Sequence, residues 1–286
     1  MLSRNDVGKY SLMITSKGET VQNTSLDVRI KQGMRDMLRA FYLIRLDLKQ
    51  QAFGHTLGHL WLVLEPALQA ATYYFLLTVV FSRSGSDATF AFFFVGITLW
   101  RSHALLTTSA PLFLITKGNN YIDQGFGLKI AFIEFFIQEI VLFCVRLVVL
   151  LFFLVVAGYK PHFTWLAILF VGACTFCFSM ALAIWLAMLG VLIKDSAKFV
   201  GHFVWLWWYL SPGLYSFSRI PAWAEPIFAL NPFTYIIPAA HAALLDYNFT
   251  FFHFATNSII AVVSVLFLIY GWRVLKRFGY ALAQYV

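Results

Sequence analysis

Arg101, Arg146, Glu65 and Glu139 are ionisable side chains set inside long apolar stretches of a 286-residue chain. A charge in hydrocarbon is costly, so each such residue marks a place where a partner or a ligand is expected. A guanidinium presents a planar fork of donors that fits a phosphate or a carboxylate with two bonds at once. Arg101 therefore has two readings. It grips the phosphate or pyrophosphate of a lipid-linked ligand, or it pairs with Glu65, Glu134 or Glu139. Glu139 and Arg146 stand seven positions apart, on one helix face but two turns away. That spacing predicts that each bonds to another span rather than to the other. His103 shares the stretch of Arg101, while His202 and His241 read as hydrogen-bonded packing residues.

Aromatic side chains supply a second kind of chemistry. Sugar C–H edges pack on ring faces while their hydroxyls stay wet, so a row of rings can hold a glycan without trapping it. Trp205, Trp207, Trp208 and Tyr209 crowd one apolar stretch. On a continuous helix Trp205, Trp208, Pro212 and Tyr215 share one face. Trp61, Tyr73 and Tyr74 are further lining candidates from the first apolar stretch. The alternative for all of them is an interfacial aromatic belt.

Other chemistries are missing. Asp87, Asp123, Asp195 and Asp246 are isolated, so no carboxylate pair is available for metal or base work and an enzyme reading fails. Cys144, Cys174 and Cys177 lie in apolar stretches without metal-like spacing and read as small buried residues, so no metal site and no bound cofactor are expected. No G-x-x-x-x-G-K-[ST] run occurs, so any ATP and Mg must be handled by a separate polypeptide. The net charge of +8 sits in basic flanks rather than in a patch suited to nucleic acid.

These residues must be positioned by membrane helices. Hydrophobic residues make up 60% of the chain and charged ones 12%, with a mean hydropathy of +0.76. The composition predicts an all-α polytopic membrane protein, with room for about six spans of roughly 20 residues. The spans fall near 57–81, 90–110, 132–157, 163–191, 199–217 and 255–272 of a membrane domain over 54–272. Residues 1–29 read as a polar tail. Residues 30–53 form a basic amphipathic helix on the interface, with Met34, Met37, Leu38, Phe41, Ile44 and Leu48 at helical spacing beside Arg35 and Arg39. Residues 273–286 form a basic C-terminal tail. Lys and Arg outnumber on one side of the spans, which predicts both termini in the cytoplasm. The connection from Pro111 to Lys129, with Lys117 and Asp123, suits docking of another subunit, as does the helix carrying Arg35 and Arg39. From Pro212 onward, Pro221, Pro226, Pro232 and Pro238 break an apolar run that cannot be one spanning helix. A pair of short re-entrant helices over about 218–245 is expected, beside a pathway that satisfies their backbone.

Three blocks carry a family resemblance. The first runs from Arg35-Asp36 to Leu57-Gly58-His59-Leu60-Trp61 and Leu64-Glu65-Pro66. The second is Leu189 to Pro212, with Lys194-Asp195 and Tyr209-Leu210-Ser211-Pro212. The third is Ile220-Pro221, Trp223, Leu230-Asn231-Pro232-Phe233-Thr234 and Ala239 to Leu245. In order and spacing they resemble the membrane subunits of ABC-2 type exporters of polysaccharides and polyol phosphates, the permeases for O-antigen, capsule and teichoic acid. The pairing of L-S-P with L-N-P-x-T is the specific part. Trp100-Arg101-Ser102-His103 is more polar than much of that family, and its frequent F-P-R tripeptide is missing from the 111–129 connection. Glu65-Pro66 is similar to the capsule branch, Leu210 to Thr234 to the O-antigen and teichoic branch. The resemblance implies a homodimer in the cell inner membrane with two ABC ATPase subunits below it. Such a complex exports a lipid-linked glycan such as lipopolysaccharide O-antigen. A drug or simple-lipid exporter of the same architecture is the first rival, and an ATP-independent carrier the second.

Overall fold

A computed structural model describes residues 60–85, 89–123 and 128–283, so the expected tail 1–29 and amphipathic helix 30–53 lie outside the described residues. Everything regular in it is helical. Helix α1 covers Trp61–Tyr74 and runs straight into a π-helical turn, Phe75–Val80. Then follow α2 (Phe90–Asp123), α3 (Leu128–Val156) and, after a 3₁₀ turn at Phe163–Leu166, α4 (Ala167–Leu192). The chain closes with α5 (Ser196–Tyr209), the short α6 (Glu225–Ala229), α7 (Phe233–Leu244) and α8 (Phe251–Ala283).

Among the described residues four segments are long and apolar enough to cross a membrane: Phe90–Gly118, Ile130–Val156, Phe163–Leu192 and Phe251–Arg277. The chain is thus a multi-pass, all-helical membrane protein. Helix α4 is the hub, packed against both α2 and α8. Small side chains let these helices approach, as is usual where lipid tails give no hydrophobic drive. Gly190 of α4 shows how close: a Cβ built there would stand 1.8 Å from the Pro111 carbonyl oxygen of α2. The outer faces of α3 and α8 are apolar and exposed, with Val148, Phe152, Ile259, Val262 and Leu266 on the surface of the bundle. Cys174 is buried as expected, whereas Cys144 sits on that exposed face of α3.

Three boundaries differ from expectation, the simplest being the last, where α8 runs past residue 272 to Ala283 through most of the stretch read as a tail. The second span does not end at residue 110, because α2 continues through Pro111 to Asp123 as one helix. Proline is tolerated inside membrane helices where a neighbouring helix packs against the site, and Gly190 provides that contact. The fifth span does not reach residue 217. Helix α5 stops at Tyr209, where Ser211 and Pro212 turn the chain and the Ser211 hydroxyl donates to the Trp207 carbonyl at 3.0 Å. The proline-rich run is broken into α5, α6 and α7, but not at Pro238, which lies inside α7.

Helix α7 is short and buried along nearly its whole length, from Phe233 to Leu244. Its last carbonyls need donors, since a helix end leaves its final C=O groups unpaired. The Thr164 hydroxyl donates to the Ala243 carbonyl at 2.8 Å and the Trp165 indole to the Leu244 carbonyl at 3.2 Å. His241 of α7 bonds through Nε2 to the Phe92 carbonyl of α2 at 3.0 Å.

Candidate functional site

Helices α1, α2 and α3 bring the intramembrane charges together. Arg101 of α2 forms an ion pair with Glu65 of α1, which is one of the three partners expected for it. Arg101 lies about 16 Å along α2 from Phe90 at 1.5 Å per residue, near the middle of a hydrocarbon core about 30 Å thick. Arg146 of α3 reaches the same place. Its side chain, Arg101 and Glu65 line a cavity of about 20 Å³ with Pro66, Thr98 and Leu105, room for roughly one water. Exposure falls inward across the group: Glu65 is 49% exposed, Arg101 23% and Arg146 5%.

The expectation that Glu139 and Arg146 bond elsewhere is corrected here. Arg146 Nη1 lies 3.9 Å from Glu139 Oε2 within α3 itself. Side chains on a helix lean toward its N-terminus. The long arginine therefore reaches back along the face toward Glu139, a distance that Cα spacing alone makes look too great. At 3.9 Å the contact is electrostatic only, and Nη1 has no hydrogen-bond partner.

The aromatic candidates divide. Trp208 is 2% exposed and sits in the core, where its indole donates to the Tyr73 hydroxyl of α1 at 3.1 Å. Its ring lies 5.5 Å from Trp100 and 6.1 Å from Tyr73, centroid to centroid. Trp205, one turn earlier on α5, is 59% exposed and meets Tyr209 edge-on at 5.2 Å. With the helix ending at Tyr209, Pro212 and Tyr215 do not continue its face. The Tyr215 hydroxyl instead folds back to donate to the Tyr209 carbonyl at 2.8 Å. Trp61 and Tyr74 are partly exposed on α1, Tyr74 beside Phe90 at 6.3 Å. Lys117 stands near the end of α2, half-buried.

The packing of three residues named in the sequence is not visible from their spacing. Trp100, His103 and Phe233 form an aromatic cluster with Trp207 and Phe178, Trp100 to Phe233 at 4.8 Å and His103 to Phe233 at 4.7 Å. His103 bonds through Nδ1 to the Ser179 hydroxyl of α4 at 2.9 Å. Asn231, a residue of the L-N-P block, is the joint between α5 and α7. Its Oδ1 accepts from the Trp207 indole and the Phe233 amide, both at 3.0 Å. Its Nδ2 donates to the Leu210 carbonyl at 2.8 Å and the Ser211 hydroxyl at 3.1 Å. The L-S-P and L-N-P blocks are therefore the two halves of one hydrogen-bonded joint, a signal present in their pairing.

The different burial of the two tryptophans gives a separable outcome. Trp208→Ala is expected to destabilise the folded chain by about 3–5 kcal/mol, as for a large buried aromatic. Trp205→Ala is expected to leave thermal unfolding in detergent unchanged, so any transport defect it shows reports on the exposed face. Equal unfolding temperatures for the two variants would contradict this division.

The described residues thus form a multi-helix membrane protein with a charge cluster and an aromatic seam between its helices. The chain belongs to the ABC-2 type transporter family, whose pattern it matches over residues 40–245. It is similar to the O-antigen export system permease protein RfbA of Klebsiella pneumoniae in two forms. One is 24% identical over 226 residues, 77% of this chain and 86% of that protein; the other is 23% identical over 241 residues, 83% and 91%. The permease of the same name from Myxococcus xanthus is 25% identical over 210 residues, 72% of this chain and 80% of that protein. The resemblance drawn from the three sequence blocks is borne out. Members of this family are the membrane subunits of transporters whose ATPase is a separate subunit.

Proposed function

We propose that this chain is the membrane-spanning permease of an ATP-driven exporter that moves a lipid-linked polysaccharide from the cytoplasm across the inner membrane. The observation that carries the reading is the match to O-antigen export permeases over most of both chains. In this reading two copies form one pathway and two ATPase subunits, which bind ATP and Mg, dock from the cytoplasm. The docking surface comprises Arg35 and Arg39 with the end of α2 bearing Lys117 and Asp123. Helices α1 and α5 serve as spans one and five of six, with both termini cytoplasmic. Helices α6 and α7 form the re-entrant pair. The 12 residues of α7 extend about 18 Å, too short to cross, and its burial and capped end are what a helix ending inside a membrane requires. The exposed rings of Trp61, Tyr74, Trp205 and Tyr209 supply glycan-facing surface, with Tyr73 and Tyr215 behind them.

The test is ATP hydrolysis by the chain purified with its candidate ATP-binding subunit, with and without lipid-linked glycan. Several-fold stimulation by the glycan is expected. Failure to bind an ATP-binding subunit would remove the ATP-driven reading. Equal stimulation by the lipid anchor without sugars would remove the glycan.

A further inference from the structure

We propose that Arg101 and Arg146 form a mid-membrane site for the phosphate of a lipid-linked substrate, and that Glu65 occupies this site as a displaceable stand-in. The inference rests on the export reading above and adds a residue-level ligand site to it.

The geometry points to a ligand in three ways. Arg146 is almost fully buried and its Nη1 has no hydrogen-bond partner, although it borders the cavity. A buried donor left unmade is costly, so a site that keeps one is completed by something that comes and goes. The charges lining the cavity are two guanidiniums against the single carboxylate of Glu65. Glu139, 3.9 Å from Arg146, balances the second charge. What the cavity offers is therefore two donor forks facing one carboxylate, and a phosphate has more acceptor oxygens than a carboxylate with which to engage both. Finally, Glu65 is half exposed and Arg101 partly so, which leaves a route from the outside of the bundle to Arg146.

The depth gives the site its use. A phosphate headgroup leaving one membrane surface for the other meets its highest cost near the middle of the hydrocarbon, because a charge there is desolvated. Two guanidinium forks at that depth replace the lost water with charge-assisted hydrogen bonds. Passage also requires that the ligand leave, so binding must be strong enough to enter and weak enough to release. Glu65 supplies the weakness: its carboxylate competes for Arg101 and returns when the phosphate departs. Its place on α1, beside Pro66 and below the π-helical turn at Phe75–Val80, ties occupancy to the position of that helix. Glu139, 3.9 Å from Arg146, holds the buried guanidinium when the site is otherwise unfilled.

The test measures binding of radiolabelled farnesyl phosphate to the permease copurified with its ATP-binding subunit, with farnesol and inorganic phosphate as competitors. Farnesyl phosphate is expected to bind with saturation and farnesol not to displace it. Displacement by inorganic phosphate would place the affinity in the phosphate group. Its failure to displace, with binding still sensitive to the substitutions below, would add the prenyl chain to the recognition. Glu65→Gln keeps the shape, removes the competing charge and is expected to tighten binding about 3-fold or more, since roughly 1.4 kcal/mol is tenfold. Arg146→Gln is expected to weaken binding more than 10-fold. Because that variant can fail to fold, Arg146→Lys is measured beside it and is expected to fall between it and the unaltered chain, having kept the charge and lost the fork. Unchanged or weaker binding in a folded Glu65→Gln complex, or displacement by farnesol, would overturn the proposal. Glycan-stimulated ATP hydrolysis that persists while these binding results fail would sink this site and leave the export reading standing.

Discussion

Gly190→Ala is expected to lower the stability of the folded chain by about 3 kcal/mol or more, at the upper end of overpacking costs. The added methyl would have to stand 1.8 Å from the Pro111 carbonyl oxygen, with the Pro111 carbonyl carbon at 2.6 Å and its Cα at 2.7 Å. These are backbone atoms of a helix, and no rotamer change moves them aside. Helices α2 and α4 must separate, and they form the central contact of the bundle, with the second apolar core of Leu106, Ala110, Leu114, Ala183, Ile184 and Ala187 between them. Close approach through small residues is what drives association of helices in lipid, so the loss spreads along the whole seam. Gly201 is the matched control. A Cβ there meets nothing within 4 Å, and Gly201→Ala in the interior of α5 is expected to be neutral or to stabilise by up to about 1 kcal/mol. Thermal unfolding of both variants in one detergent decides the matter. A Gly190→Ala chain as stable as the Gly201→Ala chain would mean that the α2–α4 contact does not hold the fold.

That contact also shows where sequence reading runs out. Proline acts on its own backbone, so the breaks between Ser211 and Pro232 could be read without any partner, and the run does divide there. Pro111 is the same residue type in the same kind of apolar context, yet α2 passes through it. Pro66 and Pro238 also lie inside helices, and at Pro111 the partner that packs against the site is Gly190, 79 positions away, which no local rule reaches. Burial within α5 has the same character. Trp205 and Trp208 differ by one turn, but only the packing of Trp100, Tyr73 and Gly213 around Trp208 decides which ring is inside. The charge cluster was legible in part. An arginine in mid-span needs an acid, and few acids lie in the spans, so Glu65 stood among three named partners. The contact between Glu139 and Arg146 was lost because spacing counts turns of backbone, whereas a long side chain adds its own reach in one direction.

Asn231 is expected to be the polar residue on which the joint between α5 and α7 depends most. Its side chain is buried and makes four hydrogen bonds, two accepted and two donated. Asn231→Asp preserves the shape and the two acceptor contacts, to the Trp207 indole and the Phe233 amide. It removes both donations and turns a negative oxygen toward the Leu210 carbonyl. A buried acceptor left without its donor costs about 1–3 kcal/mol, and the new charge faces oxygen in a region with little water. The expected loss is about 3 kcal/mol. Ser211→Ala removes one donor to the Trp207 carbonyl and one acceptor for Asn231, and about 1 kcal/mol is expected for it. The two effects should not add, because both residues belong to one network. A double variant no less stable than Asn231→Asp alone is the specific outcome, read by unfolding in detergent and by protease cleavage in the 210–232 turn. Full additivity would show that the two motif blocks act independently, and the hydrogen bonds between them would then not explain why L-S-P and L-N-P occur together. If cleavage there rises before the rest of the chain unfolds, the joint is what fixes α7 in place, and the buried helix keeps its position in the bundle only while Asn231 bridges the two turns.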